Sequence, residues 1–160
     1  MHSERAKKSR RQVRIDIINV IYKYELLGKP IDLVEVFNEN SDLTQRDLAR
    51  IKNIKDNYDF FKDTILIKLF NTNWDWNRVS PLLRAILING VEEFFTLHPK
   101  IVINEAIEIT KLYFLVDTKE EIDLGWKTNE SNYYKFINGI LENAYKVLLK
   151  MERIDVENDN

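Results

Sequence analysis

Apolar residues recur every three or four positions along most of this 160-residue chain. Nowhere do they alternate in strand fashion between hairpin turns. At about 100° per residue, a spacing of three and four collects side chains on one helix face, whereas a strand needs a spacing of two. The pattern therefore confines the chain to an all-α fold. Only 4 Gly and 3 Pro interrupt it, so long regular elements are favoured. The length suits one domain or two intimately packed halves, and a 44% hydrophobic fraction is enough for a real core.

The first helix runs from Arg10 to Leu27 and carries Val13, Ile17, Val20, Ile21, Tyr24 and Leu27 on one face. Lys7, Arg11, Arg14, Ile18 and Tyr22 fall on another, which places arginines in line with an aromatic ring. Gly28-Lys29-Pro30 ends this helix. A short second helix spans Ile31 to Phe37, and residues 38–42 read as a loop by composition. Thr44 caps a third helix, with Asp47 placed to complete a capping box. Its apolar series reaches Phe70, which makes it the expected spine of the fold. Asn71-Thr72-Asn73 then separates an N-terminal half, 1–73, from a C-terminal half, 74–150.

Trp74 and Trp76 lie in a short segment of one or two turns. Ser80-Pro81 starts the next helix, with Ser as N-cap and Pro in the first position, and His98-Pro99 stops it. Helices follow over Ile101–Phe114 and Tyr133–Leu149, with a long loop from Val116 to Asn132 between them. Residues 151–160 read as a polar, frayed tail.

Charge is unevenly placed. Residues 1–14 hold six cationic side chains against Glu4, a net +5, which leaves −7 for the remainder of a chain whose total is −2. A cationic end on an acidic body points to one localized polyanion contact, or to a solubilizing tail. The absence of Cys excludes disulfides and thiolate metal sites and fits a reducing cytoplasm. No apolar run approaches the roughly 20 residues of a membrane span. His2 and His98 are the sole histidines, so no catalytic triad or zinc set can be assembled. Glu92-Glu93, Glu105 and Glu108 lack the histidine partners of a carboxylate-bridged metal bundle, and the charge runs read as solvated helix faces. No catalytic residue, metal or cofactor is assigned.

Four phrases in order carry a resemblance. Arg10-Arg11-Gln12-Val13-Arg14 leads into Ile21-Tyr22-Lys23-Tyr24-Glu25-Leu26. Ser80-Pro81-Leu82-Leu83-Arg84-Ala85-Ile86-Leu87 begins the central helix of the second half. Ile103-Asn104-Glu105-Ala106-Ile107-Glu108-Ile109 and Lys135-Phe136-Ile137-Asn138-Gly139-Ile140-Leu141 fall in the last two helices. Together they resemble the NusB family of bacterial transcription antitermination factors, over almost the whole chain and most weakly over 28–73. The resemblance implies an all-α fold of two small helical bundles sharing a long central helix. It implies binding to boxA-like single-stranded RNA of ribosomal RNA leaders, with the small-subunit ribosomal protein NusE as partner, in the antitermination complex with RNA polymerase. It implies no enzyme activity, and both monomers and homodimers are known in the family.

Single-stranded RNA is held by cations on its phosphates and flat side chains against its bases. The resemblance makes Arg10, Arg11, Arg14 and Lys135 the phosphate candidates, and Tyr22 and Phe136 the stacking candidates. The bland alternatives stay open: core packing for Phe136, a half-buried surface position for Tyr22, and a structural role for Glu105. Asn138-Gly139 is expected to allow close helix approach.

This sequence departs from the family pattern in four places. Gln12 replaces an arginine, Leu83 and Asn132 replace acidic residues, and the Val116–Asn132 loop with Trp126 is longer than the usual turn. Gln12 supports an alternative, a helical protein-interaction module without RNA binding.

Overall fold

The computed structural model describes residues 8–70, 75–114 and 130–155. Among these, six α-helices and three tighter or looser turns form an all-α architecture without strands. Residues 115–129, which hold most of the expected long loop and Trp126, lie outside the described residues, as do 71–74 with the Asn71–Asn73 boundary and Trp74, 1–7 and 156–160.

Local chemistry sets most helix ends. Helix α1, Arg10–Leu27, starts where Ser9 Oγ accepts from the Gln12 amide. It ends at Gly28, whose φ of 65° places it in the left-handed region that glycine adopts without strain. Helix α2, Leu33–Glu39, begins at Asp32, whose carboxylate accepts from Val34 and Glu35. It therefore starts two residues later than expected and includes Asn38 and Glu39. Helix α3, Gln45–Asp56, has the full Thr44–Asp47 capping box, both bonds at 3.1 Å.

The expected long helix from Thr44 to Phe70 is not one α-helix. It breaks at Asn57, whose side-chain amide donates back to the Asn53 carbonyl at 2.9 Å. Phe60–Leu66 then winds as a π-helix and Ile67–Leu69 as a 3-10 turn. The spine is instead helix α4, Pro81–Glu93, begun by Ser80 and Pro81 as expected. Every residue from Leu83 to Glu93 is buried, because α1, α3, the π-helical segment and the two later helices over Pro99–Tyr113 and Glu130–Lys150 all pack around it.

Helix α5, Pro99–Tyr113, is capped by His98, whose Nδ1 accepts from the Lys100 amide. Helix α6, Glu130–Lys150, begins three residues before the expected Tyr133. It closes on a left-handed Glu152, φ 56°, with Arg153 N donating to Leu148 O and Glu152 N to Leu149 O. Residues 151–155 are thus not frayed: Ile154 packs on the core, and the Arg153 guanidinium lies 4.6 Å from the Phe60 ring centre.

The inward stripe of α6 is Ile137, Ile140, Leu141 and Ala144. Close approach of α4 to α6 depends on Gly90, where an added Cβ would lie 2.9 Å from Leu141 Cδ2. Gly139, the expected site of close approach, has open space around it. No helix among the described residues is long and apolar enough to cross a membrane.

Candidate nucleic-acid interface

The first turn of α1 does not present a row of free arginines. Arg10 is exposed, and its side chain has no ion-pair partner among the described residues. Arg11 meets the Glu105 carboxylate with two donors, Nε at 2.9 Å and Nη2 at 3.1 Å. Arg14 is only 7% exposed, and its Nε donates to both oxygens of Glu93, at 3.0 and 2.9 Å. The face expected to carry Arg14 and Ile18 beside Tyr22 is therefore largely interior, since Ile18 is buried as well.

The two pairs belong to one network. Arg14 Nη1 lies 3.8 Å from Glu105, which joins the outer pair to the inner one. Asn89 Nδ2 donates to Glu93 at 2.7 Å, while its Oδ1 accepts from Arg50 Nη2 at 2.8 Å. Arg50 also grips Glu92, at 2.7 and 3.1 Å. Three arginines and three glutamates thus balance across α1, α3, α4 and α5. Buried charges persist only when paired and hydrogen-bonded, and here each is. Hydrogen bonding to Arg11 holds the Glu105 carboxyl below its usual range, and the same contact pushes the Arg11 guanidinium up.

The expectation of solvated charge faces fails for Glu92 and Glu93, which are 5% and 3% exposed. The signal was present in the spacing. Asn89, Glu92 and Glu93 fall at i, i+3 and i+4, one polar strip on a helix whose other residues, Arg84 apart, are apolar or glycine.

Phe136 occupies a second cluster. It is half-buried, with its ring centre 5.8 Å from that of Phe70. Phe70 stacks on Trp76 at 5.9 Å and 17°. The Arg84 guanidinium lies over Trp76, donates to the Trp76 carbonyl at 3.0 Å and pairs with Glu25 at 3.2 Å. Tyr58 donates its hydroxyl to the same Glu25 carboxylate. A line of contacts thus runs from α6 to Glu25, one helical turn beyond Tyr22, which is itself half-buried against the core. Lys135 is exposed beside Phe136, with no ion-pair partner among the described residues.

The departures from the expected pattern also take defined places. Gln12 is exposed and donates to Asp16 at 2.9 Å. Leu83 is buried in the core, so position 83 offers no polar group to a partner. The side chain of Asn132 lies outside the described residues.

The NusB family profile matches residues 11–146, which hold both clusters. The chain belongs to the NusB family. It is similar to the transcription antitermination protein NusB of Nitratiruptor sp., 33% identical over 84% of this chain and 89% of that one. The NusB protein of Methylacidiphilum infernorum is 30% identical over 86% of this chain and 91% of its own. The solved structure of T. maritima NusB superimposes with a TM-score of 0.64 at 25% identity, covering 88% of this chain and 93% of that one. The sequence resemblance and the all-α expectation are therefore both met.

Proposed function

We propose that this NusB-family chain is an RNA-binding antitermination factor. It takes boxA-like single-stranded RNA together with NusE, within the antitermination complex of RNA polymerase in the bacterial cytoplasm, and acts as a binding protein rather than an enzyme. Family membership over residues 11–146 is the observation that carries this reading.

The residues divide the work. Arg10 and Lys135 are exposed cations available to phosphates, and Arg11 is a third once released from Glu105. Tyr22 and Phe136 are half-buried rings whose exposed parts can stack on bases. Arg14 positions the edge from beneath, through Glu93 and Glu105.

One observation favours a second reading, an interaction module without RNA binding: Arg11 and Arg14 are already satisfied by carboxylates. Titration of a labelled boxA-like RNA, against a scrambled RNA of equal length, separates the two. The first reading expects sequence-preferring binding that weakens with salt, by about 0.7 in log–log slope for each phosphate held. Equal, negligible binding of both RNAs would favour the second.

A further inference from the structure

We infer that Glu105 is an internal stand-in for an RNA phosphate: it holds Arg11 in the free protein and yields it when RNA arrives. This deepens, and rests on, the RNA-binding reading above.

Geometry is the first support. Arg11 presents Nε and Nη2 to two carboxylate oxygens at 2.9 and 3.1 Å. That fork is the same arrangement a guanidinium uses for two phosphate oxygens. Exposure is the second. The Arg11 side chain is 44% exposed and Glu105 23%, against 9% for Arg14. The outer arginine can swing away, and the inner one cannot without unburying Glu93. Compensation is the third. Arg14 Nη1 also lies 3.8 Å from Glu105, and its own bond to Glu93 does not depend on Arg11. Glu105 is then not stranded without a cation, which is what makes breaking an ion pair costly. Arg10, one residue away and without an internal partner among the described residues, offers a first foothold to the incoming strand.

The exchange makes Glu105 a competitor that sets affinity without touching RNA. A surface pair of this kind holds its partners modestly, so its removal should strengthen RNA binding about 2- to 5-fold. The test is a set of anisotropy titrations with boxA-like RNA, using the full chain as wild type, Glu105→Gln, Arg11→Ala and the double variant, each checked by thermal melt. The expected result is tighter binding by Glu105→Gln, weaker binding by Arg11→Ala, and no gain from Glu105→Gln in the Arg11→Ala background. An equal gain in both backgrounds would reduce the effect to general charge removal and overturn the proposal. So would an unchanged or weakened Glu105→Gln while wild type binds RNA. Failure of every variant to bind would overturn the RNA reading itself. Should Glu105→Gln unfold, side-chain nitrogen NMR of the wild type decides: the Arg11 Nε–H resonance should move on RNA addition, and a static one contradicts the exchange.

Discussion

Arg14 Nε sits 3.0 and 2.9 Å from the two oxygens of Glu93, a residue 79 positions further along the chain, and both side chains are buried. This relationship fastens the first turns of α1 to the C-terminal end of α4. Removing one partner leaves the other charge buried and uncompensated. Glu93→Ala should therefore destabilise the fold by about 3–5 kcal/mol. Replacing both, as Arg14→Met with Glu93→Leu, should recover most of that loss. Urea midpoints for the two single variants and the double variant check it. Single-variant losses under about 1 kcal/mol would mark the pair as a surface-type contact.

Free and committed cations should behave differently toward RNA. Arg10→Ala and Lys135→Ala should each lower the log–log salt slope of RNA binding by about 0.7 while leaving the melting temperature in place. Arg14→Ala should do the reverse, lowering the melting temperature first. Salt-series titrations with parallel melts distinguish the patterns.

Phe136 and Phe61 make a matched comparison. Phe61 is 1% exposed, so Phe61→Ala should cost about 3–5 kcal/mol of folding free energy. Phe136 is half-buried beside Phe70 on a helix whose inward stripe is complete without it. Phe136→Ala should cost clearly less stability and about 1–3 kcal/mol of RNA binding. A stability loss equal to that of Phe61→Ala, with unchanged RNA affinity, would make Phe136 core alone.

Much of this was readable in the sequence because it is local. Ser80-Pro81, Thr44 with Asp47, and Gly28 act on neighbours within three or four residues, and each does in the fold what its chemistry dictates. The ion network was not readable in the same way. Glu93 looks like any helical carboxylate until α1 brings Arg14 to it from 79 residues away. The π-helical segment was missed for a related reason: Phe61, Ile65 and Leu66 keep a helical spacing, while the winding at Phe60–Leu66 is set against α4 and α6. Gly139 beside Asn138 reads as a point of close approach, yet such approach is needed at Gly90, which faces Leu141.

Gly90 yields its own expectation. An alanine there gains up to about 1 kcal/mol of helix propensity. Its Cβ would press on Leu141, which is fully buried, and overpacking costs about 1–3 kcal/mol. Gly90→Ala should thus lower stability by roughly 1 kcal/mol, read as a shift in denaturant midpoint. Gly139→Ala, with open space around it, should be neutral or stabilising.

Acid sensitivity should have one clear contributor in Glu35. Its carboxylate accepts from Lys23 at 2.8 Å and Tyr24 at 2.7 Å, which holds its pKa at about 2 against an ordinary 4.5. A lowered folded-state pKa adds stability that is present above the unfolded value and lost as pH falls toward the folded one. The loss attributable to Glu35 should therefore fall between about pH 4.5 and 2. Glu35→Gln should flatten that part of the melting-temperature profile, and an unaltered acid limb would contradict the assignment.

Calorimetric titration of boxA-like RNA into this chain, with and without saturating NusE, tests the RNA-binding account most directly. The account predicts salt-sensitive RNA binding that NusE strengthens by a coupling of about 1–3 kcal/mol, with RNA strengthening NusE binding equally. No heat of RNA binding in either titration, with the fold intact, would contradict it.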